Sequence, residues 1–424
     1  MPRPEVAHPN ATAFSWAATP IRFGLGALGD LGTEISELDA RRCLVLTDPG
    51  VAETGLGDQA VDLLSAEGIA AVLFSDVAIE PTDESIAKAV SFAKDVEFDA
   101  LVAIGGGSVI DTAKAVNLLT GEEGELLDYV APPLGGGRAP GRALRPLVAV
   151  PTTAGTGSES TPICVVDLLG RRLKAGISHH RLRPVLAIID PLTSVSMPPE
   201  VTAASGMDVL CHAIESYTAR RFDARPASVG RRPAFSGANP ISDVLSERAI
   251  ELVGRHLRRA VANGHDLVAR EMMMLAATFA GIGFGNAGTH LPHANAYPIA
   301  GMAKGYHAAG YPEMPMVPHG QAVASTAGPS FRYTYAGSPE RHRGAASLLA
   351  GRELPLDGGA ELLPDALRAL MVDTDMPLGI GAFGFTAADV VGLAEGTMEQ
   401  QRQLSVSPRP VTATVAEAIF RQSL

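Results

Sequence analysis

Unbroken apolar runs separated by helical spacing mark the first part of the chain. Residues 43–46, 71–74, 100–104, 147–150 and 185–189 are each wholly apolar, without polar alternation. That pattern predicts strands buried on both faces, hence a mostly parallel sheet with helical crossovers. Apolar spacing of period 3.6 predicts helices over 59–67 and over 108–119, where Val109, Ala113 and Val116 share a face. After about Pro198 the β-branched runs give way to Ala, Leu, Met, Glu and Arg. Helices are predicted there over 241–261, 267–281, 363–371 and 387–400. Two Gly- and Pro-rich segments, 222–240 and 301–318, read as long loops of the functional kind. The expectation is an α/β domain over 1–197 followed by a helical domain over 198–424.

Composition agrees with two packed domains. A length of 424 residues exceeds one ordinary core, and 46% hydrophobic with 19% charged residues belongs to a globular chain. A formal net charge of −12 argues against nucleic acid, whose phosphates need Lys and Arg. No stretch is expected to reach the roughly 18–20 uncharged apolar residues of a membrane span. The opening residues, MPRPEVAHPN, lack an apolar signal core and carry one arginine, so they read as neither secretory nor organelle-directed. Cys43, Cys164 and Cys211 have no paired spacing, which fits a reducing compartment. The cytoplasm is the expected location.

Candidate chemistry concentrates in two places. Asp208 and His212 stand four residues apart in GMDVLCHAIESY, and a helix would put both on one face. With His293 and His319 they supply one carboxylate and three imidazoles, a shell suited to iron(II) and acceptable to zinc. His290, three residues before His293, is a rival that spacing alone leaves open. Cys211 beside His212 is expected in the core, and His179 and His180 in a loop without chemistry. The second place is Gly105-Gly106-Gly107-Ser108, where a predicted strand turns into a helix. Glycines there let a diphosphate approach the backbone, and Ser108 can cap the helix and donate to phosphate. This is not a GxGxxG loop. Asp48, after the first of these strands, can accept from an adenosine ribose and repel a 2′-phosphate, or serve its own turn. Thr152, Thr153 and Thr156 in PTTAGTGSE can reach the nicotinamide side of a dinucleotide or satisfy turn backbone.

These residues resemble the iron-containing (group III) alcohol dehydrogenase family from about Ile21 to the C-terminus. The motifs that carry the likeness are GGGSVIDTAKAVNLL, VAVPTTAGTGSES, IIDPLTSVSMPP and GMDVLCHAIESYT. The resemblance implies an N-terminal Rossmann-like domain and an all-α C-terminal domain, the dehydroquinate synthase-like architecture, with the site between them. It implies metal ligands at Asp208, His212, His293 and His319, and so favours His293 over His290. It implies NAD contacts at Asp48, Gly106, Gly107, Ser108, Thr152, Thr153 and Lys174. Within the family, LLDYV, RPAFSGANPISD, FAGIGFGNAGTH and the insertion 301–318 are similar to the hydroxyacid–oxoacid transhydrogenase branch. Many family members carry a second histidine where this chain has Tyr297.

The implied chemistry is metal-assisted hydride transfer through bound NAD, from 4-hydroxybutyrate to 2-oxoglutarate, with Fe2+ the expected metal and Zn2+ the alternative. A dehydrogenase using free NAD(H) on another small substrate is the rival reading. A lyase related to dehydroquinate synthase would need more cleft Lys and Arg for phosphate. Tyr297, four residues past His293, is a candidate proton relay or substrate-orienting group, or an aromatic packing residue. Acidic substrates need a cation, and Arg220, Arg221, Arg225, Arg231, Arg232 and Lys304 are the candidates in the two long loops. A homodimer acting on small molecules is expected, without nucleic acid or membrane partners.

Overall fold

The computed structural model describes residues 10–171, 173–226 and 235–424. Its strands are β1 (Ile21–Phe23), β2 (Arg42–Leu46), β3 (Ala70–Phe74), β4 (Ala100–Gly105), β5 (Leu147–Pro151), β6 (Ile163–Leu168), β7 (Leu173–Ser178) and β8 (Leu186–Ile189). Six of them form one sheet in the order β1-β8-β5-β4-β2-β3, with every neighbouring pair parallel. All five predicted apolar runs are in it. Residues of β4 and β5 are buried throughout, as central strands covered on both faces must be. The chain leaves β2 outward to β3, then returns to β4 on the other side of β2. A crevice therefore opens at the carboxyl ends of β2 and β4, where a doubly wound sheet binds ligands.

Three strands were not expected from apolar runs. β1 spans only three residues and is largely exposed. β6 and β7 pair antiparallel as a separate ribbon, and each mixes polar with apolar residues because one side faces the crevice.

From Pro199 onward the described residues are mainly helical. Helices Pro199–Thr218, Pro240–Ala262 and Leu267–Ala287 share a core with Leu210, Ile214, Val253, Leu257, Met273 and Ala280. Leu267–Ala287 extends beyond the predicted 267–281. It is long and apolar enough to cross a membrane by length and composition, which corrects the expectation that no stretch reaches that mark. Buried positions make up 67% of its apolar window, as in a central core helix. The 301–318 segment is irregular apart from its first residue, in keeping with the loop prediction. The 222–240 segment falls partly outside the described residues.

The two halves meet backbone to backbone. Gly157 follows β5 at φ 62°, in the left-handed region, and a Cβ there would lie 2.5 Å from Gly281 Cα. A Cβ on Gly281, inside Leu267–Ala287, would lie 2.9 Å from Gly157 Cα. Gly281→Ala gains about 1 kcal/mol of helix propensity, yet the backbone it meets cannot swing aside as a side chain would. Overpacking of about 1–3 kcal/mol should win, so urea unfolding is expected to show a lower midpoint. A raised midpoint would mean that the halves are not locked at this contact.

Candidate active site

Helix Pro199–Thr218 carries Asp208, His212 and Glu215, all buried, at positions i, i+4 and i+7 of one face. Helix Leu291–Gly301 brings His293 to the same point, and helix His319–Thr334 brings His319 on its first residue. His293 Nε2 lies 3.4 Å and His319 Nε2 3.9 Å from Asp208 Oδ1, while His212 Nδ1 lies 3.7 Å from Asp208 Oδ2. Asp208 Oδ1, His212 Nδ1 and His293 Nε2 are buried atoms without a hydrogen-bond partner. Ligand atoms of Asp208, His212 and His293 all lie within 4.8 Å of one another. Bonds of ~2.1 Å to a tetrahedral ion imply ligand–ligand edges of ~3.4 Å. Converging orphaned atoms at near that spacing fit a divalent metal.

Neighbours aim the imidazoles. His212 stacks on Phe284, with centroids 4.0 Å apart and planes at 6°. His293 Nδ1 bonds the Glu215 carboxylate, whose Oε1 also accepts the N–H of His290 at 2.7 Å and of His293 at 3.3 Å. Such a carboxylate fixes ring orientation and raises ligand basicity. His290 Nε2 instead meets Thr218 Oγ1 at 3.0 Å, which directs that ring away from the cluster. Cys211 is fully buried in the helical core. His179 accepts from the Arg181 N–H at 3.3 Å, and neither His179 nor His180 lines the cavity.

Helix approach is tight where it matters. A Cβ on Gly320, next to His319, would sit 2.0 Å from Ala204 O and 3.3 Å from Asp208 Cβ. Only glycine lets His319 come this close to the Asp208 helix.

One cavity joins this cluster to the glycine loop. Its walls include Gly107, Ser108, Thr156, Lys174, His212, His293, Tyr297 and His319. The helix after the loop runs Gly107–Gly121; the Val109 and Ile110 N–H groups bond Gly106 O, which leaves those of Gly107 and Ser108, both on the cavity wall, without a carbonyl partner. A Cβ on Gly107 would lie 2.5 Å from Thr156 Oγ1, leaving no room for a side chain there. Ser108 does not cap the helix. Gly106 occupies the cap position, and the Ser108 hydroxyl accepts the Glu80 N–H at 3.0 Å. Thr153 packs against Gly106, and Thr152 is buried at the end of β5, where its N–H bonds Gly105 O. Asp48 Oδ1 accepts the Val51 N–H at 3.0 Å, the turn role open to it. Burial raises its pKa, with the backbone N–H groups of Val51 and Gly50 opposing.

Glu80 and Arg402 belong to the site and were not expected. Glu80, at φ 57°, pairs with Lys174 and accepts from the His319 backbone, linking the loop after β3 to the histidine cluster. Lys174, expected at the dinucleotide, is thus held by this carboxylate inside the shared cavity, with Asp167 Oδ2 at 4.0 Å. Burial alone would lower the Lys174 pKa, but Glu80 and Asp167 together outweigh it and raise it. The cations expected in the two loops lie elsewhere. Arg221 pairs with Asp223, Lys304 with Asp389, and Arg225 donates to Phe235 O. None of the described ones lines the cavity, and Arg231 and Arg232 lie outside the described residues.

The family model for iron-containing alcohol dehydrogenase matches residues 18–191, and the C-terminal model of the Fe-containing alcohol dehydrogenase family matches 234–424. The chain belongs to the iron-containing alcohol dehydrogenase family. It is therefore an enzyme of the oxidoreductase class. It is 42% identical to the mitochondrial hydroxyacid-oxoacid transhydrogenase of Xenopus laevis, covering 99% of this chain and 92% of that protein. Its identity to the protein of that name from Homo sapiens is 40%, over 97% of this chain and 90% of that one. Among solved structures, a 1,3-propanediol oxidoreductase superposes with a TM-score of 0.84 at 30% identity, covering 97% of this chain and 100% of that one. An alcohol dehydrogenase from Oenococcus oeni gives 0.84 at 27% identity, with the same coverage. The relatives' names correct the cytoplasmic expectation, since these transhydrogenases are mitochondrial. All three cysteines are free and buried, which speaks for reducing surroundings but does not choose among reducing compartments.

Protonation gives the cluster a measurable sign. Burial alone would lower the His293 pKa, but Glu215 and Asp208 outweigh it and raise it to about 9. Burial lowers His212 to about 3 and also lowers His319. Burial would raise Asp208, but the three imidazoles hold it well below the carboxylate range. At neutral pH a metal ion displaces one proton, from His293, so its affinity should rise ~10-fold per pH unit up to about 9. Glu215→Gln should flatten that slope and weaken binding ~10–100-fold at pH 9. Calorimetric metal titration in two buffers of different ionisation enthalpy checks both, and a pH-independent affinity refutes the assignment.

Proposed function

We propose that this enzyme moves hydride between a small hydroxy acid and an oxo acid through NAD that stays bound. The pair is 4-hydroxybutyrate with 2-oxoglutarate, giving succinate semialdehyde and 2-hydroxyglutarate. The observation that carries this is the single cavity in which the glycine loop and the histidine cluster face each other. The identity of about 40% to proteins named hydroxyacid-oxoacid transhydrogenase supports it. When bound, the metal supplies a Lewis acid that lowers an alcohol's pKa, and the nicotinamide supplies a two-electron acceptor and donor.

The chain's own residues do the rest. Asp208, His212, His293 and His319 hold the metal, iron(II) by the family's character, with zinc the alternative. The Gly107 and Ser108 N–H groups take the diphosphate, with Gly106, Thr152, Thr153 and Thr156 lining its path and Asp48 at the ribose. Lys174, fixed by Glu80, holds positive charge between the loop and the cluster. Tyr297 is buried beside His319, with ring centroids 6.2 Å apart, and its hydroxyl lies 3.5 Å from Nη2 of Arg402, which with Lys174 lines the cavity. Its role is to orient substrate or pass the hydroxyl proton. The domains 1–197 and 198–424 then act as the two jaws of the cleft, and the enzyme works as a homodimer.

Net chemistry balances without free cofactor. The first substrate loses a hydride from carbon and a proton from oxygen, and the second gains both. Metal-loaded protein given 4-hydroxybutyrate and 2-oxoglutarate with no added NAD should release both products. Turnover only on addition of NAD(H) would instead select the free-cofactor dehydrogenase, which the likeness to a 1,3-propanediol oxidoreductase keeps in view. Tyr297→Phe is expected to lower kcat ~10-fold or more. Unchanged turnover would reduce Tyr297 to packing.

A further inference from the structure

Arg402 sits on the short helix Gln401–Leu404, far in sequence from every motif above, and its side chain lines the shared cavity. Its Nη2 is 3.5 Å from Tyr297 Oη, and its Cζ lies 5.2 Å over the Phe235 ring. The floor beneath it is Gly176 of β7, where a Cβ would come within 3.1 Å of Nη2. Arg402 Nη1 is buried with no hydrogen-bond partner, and no carboxylate of the described residues lies within ion-pair distance of the group. The other basic side chain on the cavity wall, Lys174, is already paired with Glu80.

A guanidinium has donors in a fixed fork that matches a carboxylate. Leaving Nη1 buried and unpaired is costly, so its place on the cavity wall points to an anion supplied from outside. Tyr297 adds a hydroxyl on the side of His319, so the bound anion is directed along the line from Arg402 to the histidine cluster.

We propose that Arg402, with the Tyr297 hydroxyl, is the carboxylate anchor that selects hydroxy and oxo acids over plain alcohols and aldehydes. This rests on the reaction proposed above and deepens it. In 4-hydroxybutyrate and succinate semialdehyde a carboxylate carbon lies three bonds from the carbon that changes oxidation state. The distal carboxylate of 2-oxoglutarate and 2-hydroxyglutarate lies at the same separation. One arginine therefore places the reacting carbon of both half-reactions at one point beside the metal cluster. The cavity needs no second anchor at that distance, and a single seat suffices for substrates that bind in turn.

The test compares acids with their neutral or shortened partners. In Arg402→Met, kcat/KM for 4-hydroxybutyrate relative to butan-1-ol should fall on the order of 100-fold. The ratio of 2-oxoglutarate to 2-oxopentanoate, which lacks only the distal carboxylate, should fall in parallel. Arg402→Lys should recover part of both ratios, a pattern that a misfolded variant would not give. Unchanged ratios, or a fall in one half-reaction only, overturn the proposal. A readout free of turnover is calorimetric binding of succinate to the metal-loaded protein. Binding by the wild type that disappears in Arg402→Met supports the anchor, and binding that persists refutes it. If the wild type fails the paired assay yet loses succinate binding with Arg402, the reaction proposed above is wrong while the anchor stands.

Discussion

A buried carboxylate with no proton donor of its own organises this molecule. Asp208 is 1% exposed, and no N–H or O–H of the described residues satisfies its Oδ1. Taking such a charge out of water costs several kcal/mol (about 2–7 for a neutral polar group and more for an ion), unless positive charge meets it. The chain supplies three imidazoles from three helices, and each helix is held where its ring can reach that one oxygen pair. Gly320 lets the His319 helix pack against Ala204 of the Asp208 helix, Phe284 stacks on His212, and Glu215 orients His293. Left without a metal, the arrangement offsets its carboxylates with the one proton that His293 holds at neutral pH. Loaded with one, it closes the charge balance, and the metal becomes part of what holds the helical half together.

The sheet half is tied to this knot by charge as well as by packing. Glu80 leaves the strand ends in a left-handed conformation that a side-chain-bearing residue adopts at a cost. That conformation lets one residue touch three parts of the site. Its N–H reaches Ser108 on the nucleotide loop, and its carboxylate reaches Lys174 on the ribbon and the backbone of His319. With the Gly157–Gly281 crossing, this makes the cleft a preformed shape whose two walls cannot drift independently. Hydride transfer demands that constraint, because it fails when donor and acceptor carbons are not held in contact.

Legibility in the sequence followed the range of the signal. The central strands were readable because burial on both faces leaves unbroken apolar runs, and 100–104 and 147–150 match β4 and β5 closely. Asp208 and His212 were readable because a helix repeats every four residues. The same spacing could have exposed Glu215, seven residues past Asp208, but a glutamate at i+7 is far more often a solvated face than a buried one. β6 and β7 were not readable, since a ribbon with one wet side mixes polar residues into its apolar pattern. Ser108 misled in a different way. Gly106 takes the cap position expected of Ser108, and the Ser108 oxygen instead accepts the N–H of Glu80, placed by a distant strand end, with its own O–H still free to donate.

Arg402 marks where reading from sequence must stop. The loop arginines looked attractive because they cluster, but clustering in sequence is compatible with each finding its own partner, as Arg221 does with Asp223. What sets Arg402 apart is the reverse condition, a buried guanidinium nitrogen, Nη1, without a partner, and that condition is defined by every residue that fails to be nearby. Such an absence has no local signature. Arg402 lies in QQRQLS, between polar residues that suggest a solvated turn, and only the fold places it over Phe235 and against Tyr297. The Asp208–His212 pair is thus written in residues present at a fixed interval, while the unpaired nitrogen of Arg402 is set by what the rest of the chain keeps away from it.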